Sequence, residues 1–154
     1  MTESNGRRIK RALKIRMSSI RYLNAEDLKV ISKIEMIKDY ISNKSKDISD
    51  YNNENKIDKS LLINGRNLTN IGVFRKYVES YIEEHSAINK DLMIMTRQLE
   101  PNENGLPIEI YAFSNDKGWQ NYEYIIADIF DHIIAASSSF DLEIYAVSYT
   151  HLRA

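Results

Sequence analysis

The chain contains no cysteine, which excludes disulfides and thiolate metal sites and fits a reducing compartment. Long apolar runs are missing too. The longest, Ile125 to Ile134, is interrupted by Asp128, Asp131 and His132, well short of the roughly 20 apolar residues of a membrane-spanning helix, so the chain as it stands is not expected to cross a bilayer. Met1 to Arg16 carries charges where a secretory leader needs an apolar stretch, and no leader is expected. The glycine-rich dinucleotide, P-loop, GxSxG and HExxH patterns are absent, which removes the common phosphate, nucleophile-elbow and zinc signatures. No internal repeat of fixed period is visible.

What is present suits one soluble globular domain: 154 residues, 43% hydrophobic and 28% charged, enough to bury an ordinary core. The net charge of -1 conceals an asymmetry. From Met1 to Tyr22 there are seven basic residues (Arg7, Arg8, Lys10, Arg11, Lys14, Arg16, Arg21) against Glu3. From Glu103 to Ala146, eight acids (Glu103, Glu109, Asp116, Glu123, Asp128, Asp131, Asp141, Glu143) face Lys117 alone. The two ends have opposite sign.

The organising stretch is Leu92 to Phe113. Leu92, Ile94, Ile108, Ile110 and Ala112 alternate with Met93, Met95, Arg97, Glu109 and Tyr111, the period of two of a half-buried sheet. Pro101 to Gly105 collects turn residues, with Gly105 able to take a positive φ. The stretch predicts a β-hairpin.

Upstream, the basic run predicts a strand from about Lys10 to Met17. It reads either as a nucleic-acid or anionic-lipid patch or as the solvated face of a strand, and the latter is favoured because no aromatics are interleaved. Asn24 with Asp27 caps a helix expected over Ala25 to Asp47, carried by Leu28, Ile31, Ile34, Ile37 and Ile41. Its polar tail reads as a loop or a frayed extension. Asn64-Gly65 signals a small ribbon or loop, and Thr69 caps a helix over Asn70 to His85. The sequons at Asn43 and Asn67 read as chance matches without a leader. After the hairpin, Ser114 to Asp116 supplies a turn and cap for a helix over Trp119 to Ala136, whose stripe is Trp119, Tyr122, Ile126, Ile129, Phe130, Ile133 and Ile134. Phe140 to Tyr145 alternates again as a closing strand. The expected fold is α+β, a ferredoxin-like β-α-β-β-α-β sandwich with an extra helix and loop inserted after the first strand.

Candidate chemistry is sparse. Asp128, Asp131 and His132 share a helix and offer acid/base or metal-binding groups, but with no second metal-spaced His or Cys the stripe reads as a polar helix face. His85 sits at a helix end, where the dipole accounts for it. Trp119, Tyr122 and Tyr124 suggest an aromatic surface, although Trp119 and Tyr122 share the apolar side and core packing is expected. No catalytic, cofactor-binding or metal residue is assigned, no cofactor is expected, and the chain is not read as an enzyme.

Three segments go further: NGRNLTNIGVFRKYVESYIEEHSAI, DLMIMTRQLEPNENGLPIEIYAFSND, and a tryptophan followed by YEYIIADIFDHIIA. They resemble the C-terminal cytoplasmic domain of small-conductance mechanosensitive channels of the MscS family, in its YbdG-like miniconductance branch. The upstream SNGRRIKRALKIRMSSIRYL resembles the segment leaving that branch's β-domain. The similarity runs from about Ser4 to Tyr145, and RQLEP, GLPIEIYAF and ADIFDH are its specific motifs.

The resemblance implies a cytoplasmic part of a tension-gated channel that opens in hypo-osmotic stress. Its pore helices and Sm-like β-domain lie N-terminal to the matching region. The implied partner is self-association in a homo-oligomer, heptameric in the family's best-known members, with membrane attachment through the missing N-terminal helices and no nucleic acid. The implied location is the cytoplasmic face of the bacterial inner membrane, with the fragment itself soluble. No gate or pore residue has a matching position. The divisions expected are 1–23, a basic lead-in and first strand; 24–63, an inserted helix and polar loop; 64–146, the α/β domain; and 147–154, VSYTHLRA, an adapter-derived tail. On this reading the Arg7 to Arg16 segment faces the acidic C-terminal third of its own or a neighbouring subunit. The alternative is a free ferredoxin-like module binding nucleic acid or protein, which needs exposed aromatics on the middle strands; Tyr111 is the one candidate read from the sequence.

Overall fold

The computed structural model describes residues 6–145. The expected tail at 147–154 lies outside them. The fold is α+β. Strands β1 (Arg7–Ile15), β2 (Met95–Gln98) and β3 (Leu106–Ser114) form an antiparallel sheet in the order β1-β3-β2. Helices α1 (Ala25–Ile31), α2 (Lys38–Glu54), α3 (Asn70–Glu84) and α4 (Trp119–Ser137) complete the described chain, with short 3-10 turns between.

The hairpin forms because Asn102 and Gly105 exchange backbone hydrogen bonds of 3.0 Å, with Gly105 at φ 100°. Its first strand is shorter than the alternation suggests and begins at Met95. Strand β1 starts earlier and ends earlier than expected, because it pairs with the whole of β3 from Arg7 opposite Ser114 to Ile15 opposite Leu106. Met17–Ser19 is instead a 3-10 turn, closed by Ser19 Oγ donating to the Arg16 carbonyl at 2.6 Å. One face of the sheet presents Ile9, Leu13, Ile15, Ile108, Ile110 and Ala112 to Val78 and Ile82 of α3 and Ile126, Ile129 and Ile133 of α4, all buried in one core. Phe74 and Phe140 meet edge to face at 5.4 Å at one end of it.

The single helix expected over Ala25 to Asp47 is two. Asn24 and Asp27 form a reciprocal capping box, but the chain bends after Ile31, where the Ser32 hydroxyl bonds back to the Lys29 carbonyl. The bend lets Ile31, Ile37 and Ile41 all reach the core, with the Glu35–Ile37 turn seated on α3. The polar tail read as a loop or frayed extension is ordered helix as far as Glu54. Its inner positions are polar yet satisfied: buried Asn52 accepts from the Arg66 amide at 2.9 Å and donates to the Arg66 carbonyl at 3.1 Å. Asn64-Gly65 forms no ribbon; the segment is a loop braced by Lys59 Nζ on the Leu62 carbonyl (2.9 Å) and Asn67 Oδ1 (2.5 Å).

Thr69 caps α3 as expected, accepting from the Gly72 amide. For α4 the cap position is Gly118, and Asp116 acts from outside by accepting from the Gly118 amide and Asn121. The closing strand expected over Phe140 to Tyr145 is reduced, among the described residues, to one antiparallel bridge between Ile15 and Ile144. A 3-10 turn (Ser138–Phe140) and left-handed Asp141 take up its start.

Arg21 ties these ends together, donating to both carboxylate oxygens of Asp27 (2.7 and 3.0 Å) and to Asp141 (2.6 Å). The Arg21 hydrogen bond, helped by the Asn24 amide and opposed by desolvation, holds the Asp27 carboxyl below its ordinary 3.8. The stability it contributes is present above that ordinary value and lost as pH falls through the lower folded one. Asp27→Asn is therefore expected to cost up to about 1 kcal/mol at neutral pH, with the gap closing in acid; urea midpoints of both proteins at pH 7 and in acid measure it.

Candidate interaction surface

The opposite face of the sheet carries no helix among the described residues. Strand alternation puts Arg8, Lys10, Ala12 and Lys14 of β1 on it, and the register sets Arg8 beside Phe113, Lys10 beside Tyr111 and Lys14 beside Pro107. Met95 and Arg97 line its other side, opposite Tyr111 and Glu109. Tyr111 and Phe113 meet edge to face at 5.7 Å and are half-buried. Phe113 was missed by the sequence reading, although it lies two residues beyond Tyr111 and so shares its face.

Two ion pairs belong to this face. Arg97 Nε donates to Glu109 Oε1 at 2.8 Å, with the Glu109 side chain only 8% exposed, and Arg16 pairs with Glu143 at 3.2 Å. Arg8, Lys10 and Lys14 make no ion pair among the described residues. The inward members of β1 are occupied differently: Arg7 lies over the Tyr122 ring at 4.4 Å and Arg11 over Phe130 at 5.9 Å. The basic strand is thus split by its own pleat. Arg7 and Arg11 serve the α4 side, and Arg8, Lys10 and Lys14 remain for contact.

The helix cluster comes apart. Asp128 pairs across to α3, accepting from His85 Nε2 at 2.9 Å; the Ala87 amide donates to His85 Nδ1, which fixes the proton on Nε2. His132 instead stacks on Tyr81 at 4.0 Å and meets the Tyr77 hydroxyl at 2.7 Å. Burial pushes the phenols of both tyrosines up, so they stay neutral. Asp131 is exposed and joins neither group. The arrangement is an interhelical latch, and among the described residues no three His, Asp or Glu side chains converge as a metal site. His85, ascribed from the sequence to the helix dipole, is held by these two hydrogen bonds.

Trp119 is 66% exposed rather than packed, because the first turn of α4 projects past the core residues that begin at Ile126. Tyr122 does lie against the fold, its hydroxyl donating to the Arg8 carbonyl. Tyr124 and Ile134 point outward, 63% and 45% exposed. A groove of about 510 Å³ between α2 and the start of α3 is lined by Tyr40, Lys44, Asp47, Arg66 and Arg75. Its arginines are engaged, Arg66 over Tyr51 and Arg75 on Gln98 Oε1.

The fold and this surface define an α+β domain with one open sheet face, and among the described residues no helix is long and apolar enough to cross a membrane. Compared with models of known protein families, the chain matches none.

Proposed function

We propose that the chain is the cytoplasmic α/β part of a tension-gated, homo-oligomeric channel of the YbdG-like miniconductance branch, working beneath pore helices that precede it and opening in hypo-osmotic stress. The observation that carries this reading is where the family-like motifs fall. Arg97 to Pro101 runs from the last two residues of β2 into the turn, Gly105 to Phe113 covers the turn's last residue and nearly all of β3, and Ala127 to His132 lies on α4, so the β3 and α4 parts of the resemblance coincide with elements that build the core. The fold in this reading is ferredoxin-like, with α1 and α2 inserted after β1. The order β1-β3-β2 and the bridge that sets Ile144 beside β1 support it.

The test is a chimera in which residues 6–145 replace the matching segment of a YbdG-like channel. Cells lacking their own mechanosensitive channels are expected to survive hypo-osmotic shock when they carry it. Death equal to that of the empty strain, with the chimera present in the membrane, overturns the proposal.

A second reading is favoured by one observation. Tyr111 and Phe113 stand on the open face beside Lys10 and Arg8, with Lys14 farther along the same face, the aromatic-with-basic pattern of single-strand nucleic-acid platforms. Its signature is oligonucleotide binding that falls steeply with salt.

A further inference from the structure

The groove between α2 and the start of α3 gathers cations from three separate parts of the chain. It encloses about 510 Å³ and is lined by Lys44 of α2, Arg66 of the loop and Arg75 of α3, with Asp47 its one carboxylate and Tyr40 on the wall. None of the three cations makes an ion pair among the described residues. The two arginines are held by neutral groups instead. Arg66 lies over the Tyr51 ring at 4.4 Å, and its main chain is clamped by the Asn52 side chain at 2.9 and 3.1 Å. Arg75 Nη1 donates to Gln98 Oε1 at 2.9 Å. Such contacts orient a guanidinium without cancelling its charge and leave its other N–H groups able to donate. Gly72 keeps the groove open beside them: a Cβ there would stand 3.1 Å from Thr69 Oγ1 and 3.9 Å from Arg75 Nη2. The first amides of α3 are not what the groove offers, since the Asn70 amide goes to the Arg21 carbonyl and the Gly72 amide to Thr69.

We propose that this groove binds a small phosphorylated molecule, whose phosphate oxygens accept from Lys44 Nζ and from the uncommitted guanidinium N–H groups of Arg66 and Arg75. Arginine forks match phosphate oxygens in pairs, and a groove of this size holds a ligand of metabolite dimensions. An extended anion, whether membrane or nucleic acid, fits less well because the basic charge is confined to the groove. Helix α2 as a whole carries Lys38, Lys44 and Lys46 against Asp39, Asp47, Asp50 and Glu54. Asp47 repels the phosphate and so limits the affinity, which keeps the ligand exchangeable. Bound there, the ligand joins α2, the loop and α3, and ties the inserted helices to the core. The proposal needs neither the channel reading nor the nucleic-acid reading of the sheet face.

Isothermal titration calorimetry of the purified 154-residue chain with inorganic pyrophosphate tests it, at about 0.15 M salt so that weak surface attraction is screened. Saturable binding is expected, with a dissociation constant below about 1 mM. Lys44→Gln, Arg66→Gln and Arg75→Gln are each expected to weaken it at least about fivefold. Lys46→Gln removes the same charge from the same helix, at a side chain paired with Asp50, and is expected to leave binding within about twofold of wild type. Asp47→Asn is expected to tighten it about threefold by removing the repulsion. A misfolded variant loses binding and does not gain it, so that rise controls for folding. No saturable heat, a Lys46→Gln loss equal to that of Lys44→Gln, or no gain from Asp47→Asn overturns the proposal. So does co-sedimentation with phosphatidylglycerol vesicles that Lys44→Gln and Arg66→Gln abolish and pyrophosphate does not compete away, which assigns the groove to a lipid surface. None of these results touches the shock survival of the chimera, which judges the channel reading separately.

Discussion

Asn70→Ala is expected to remove about 3–5 kcal/mol of stability, a large share of the roughly 5–15 kcal/mol typical of a domain. Asn70 opens α3 and has no exposed surface. Its Nδ2 donates to the Ser19 carbonyl at 2.9 Å and the Phe140 carbonyl at 3.0 Å, while its Oδ1 accepts from the Arg21 amide at 2.9 Å. One amide thus closes three backbone groups from segments far apart in sequence: the turn after β1, the strand-like entry to α1, and the end of the 3-10 turn after α4. Alanine strands all three beside a buried cavity. Asn70→Asp keeps the acceptor but points a carboxylate at two carbonyl oxygens, so it is expected to be no milder. Urea denaturation measures both variants, and a loss under about 1 kcal/mol for alanine shows that this clip does not hold the ends together.

The second large effect is at Gly105, where alanine is expected to cost about 2–4 kcal/mol. Gly105 has φ 100°, which L residues rarely adopt, and a Cβ there would sit 2.4 Å from the Ile15 carbonyl oxygen. The obstacle is backbone, with no flexible side chain to move aside. Relief requires β1 to separate from β3 where Ile15 pairs with Leu106, and with it the bridge from Ile15 to Ile144. The exposed neighbour Glu103 is the control, and Glu103→Ala is expected to stay within about 0.5 kcal/mol. Thermal unfolding of the two variants side by side decides it; equal stability removes the close approach as the reason for glycine.

Gly105 also illustrates what the sequence made legible. Turn chemistry and caps are local: the Asn102 to Gly105 turn, the Asn24 and Asp27 box, and Thr69 before α3 are all where the residues placed them. The alternation of β3 likewise predicts which face meets the helices, but not that Pro107 and Glu109 on the other face are buried as well, Glu109 under its pair with Arg97. What escaped were polar side chains doing the work of backbone, because a hydrophobic period counts Asn52 and Asn70 as surface when they are buried partners of distant main chain. The break after Ile31 escaped for a related reason, since the apolar spacing continues through it and only the position of α3 requires the bend. On the candidate surface, Tyr111 was readable from alternation and Phe113 should have been. The division of β1 into an outward and an inward basic set follows from its register with β3, and the His85 to Asp128 pair needs α3 beside α4.

Patch-clamp recording from membranes holding the chimera tests the proposed role in a tension-gated pore. Currents that switch on with applied suction and are absent without it are expected. Silent patches at tensions that open the parent channel, with the chimera in the membrane, contradict it.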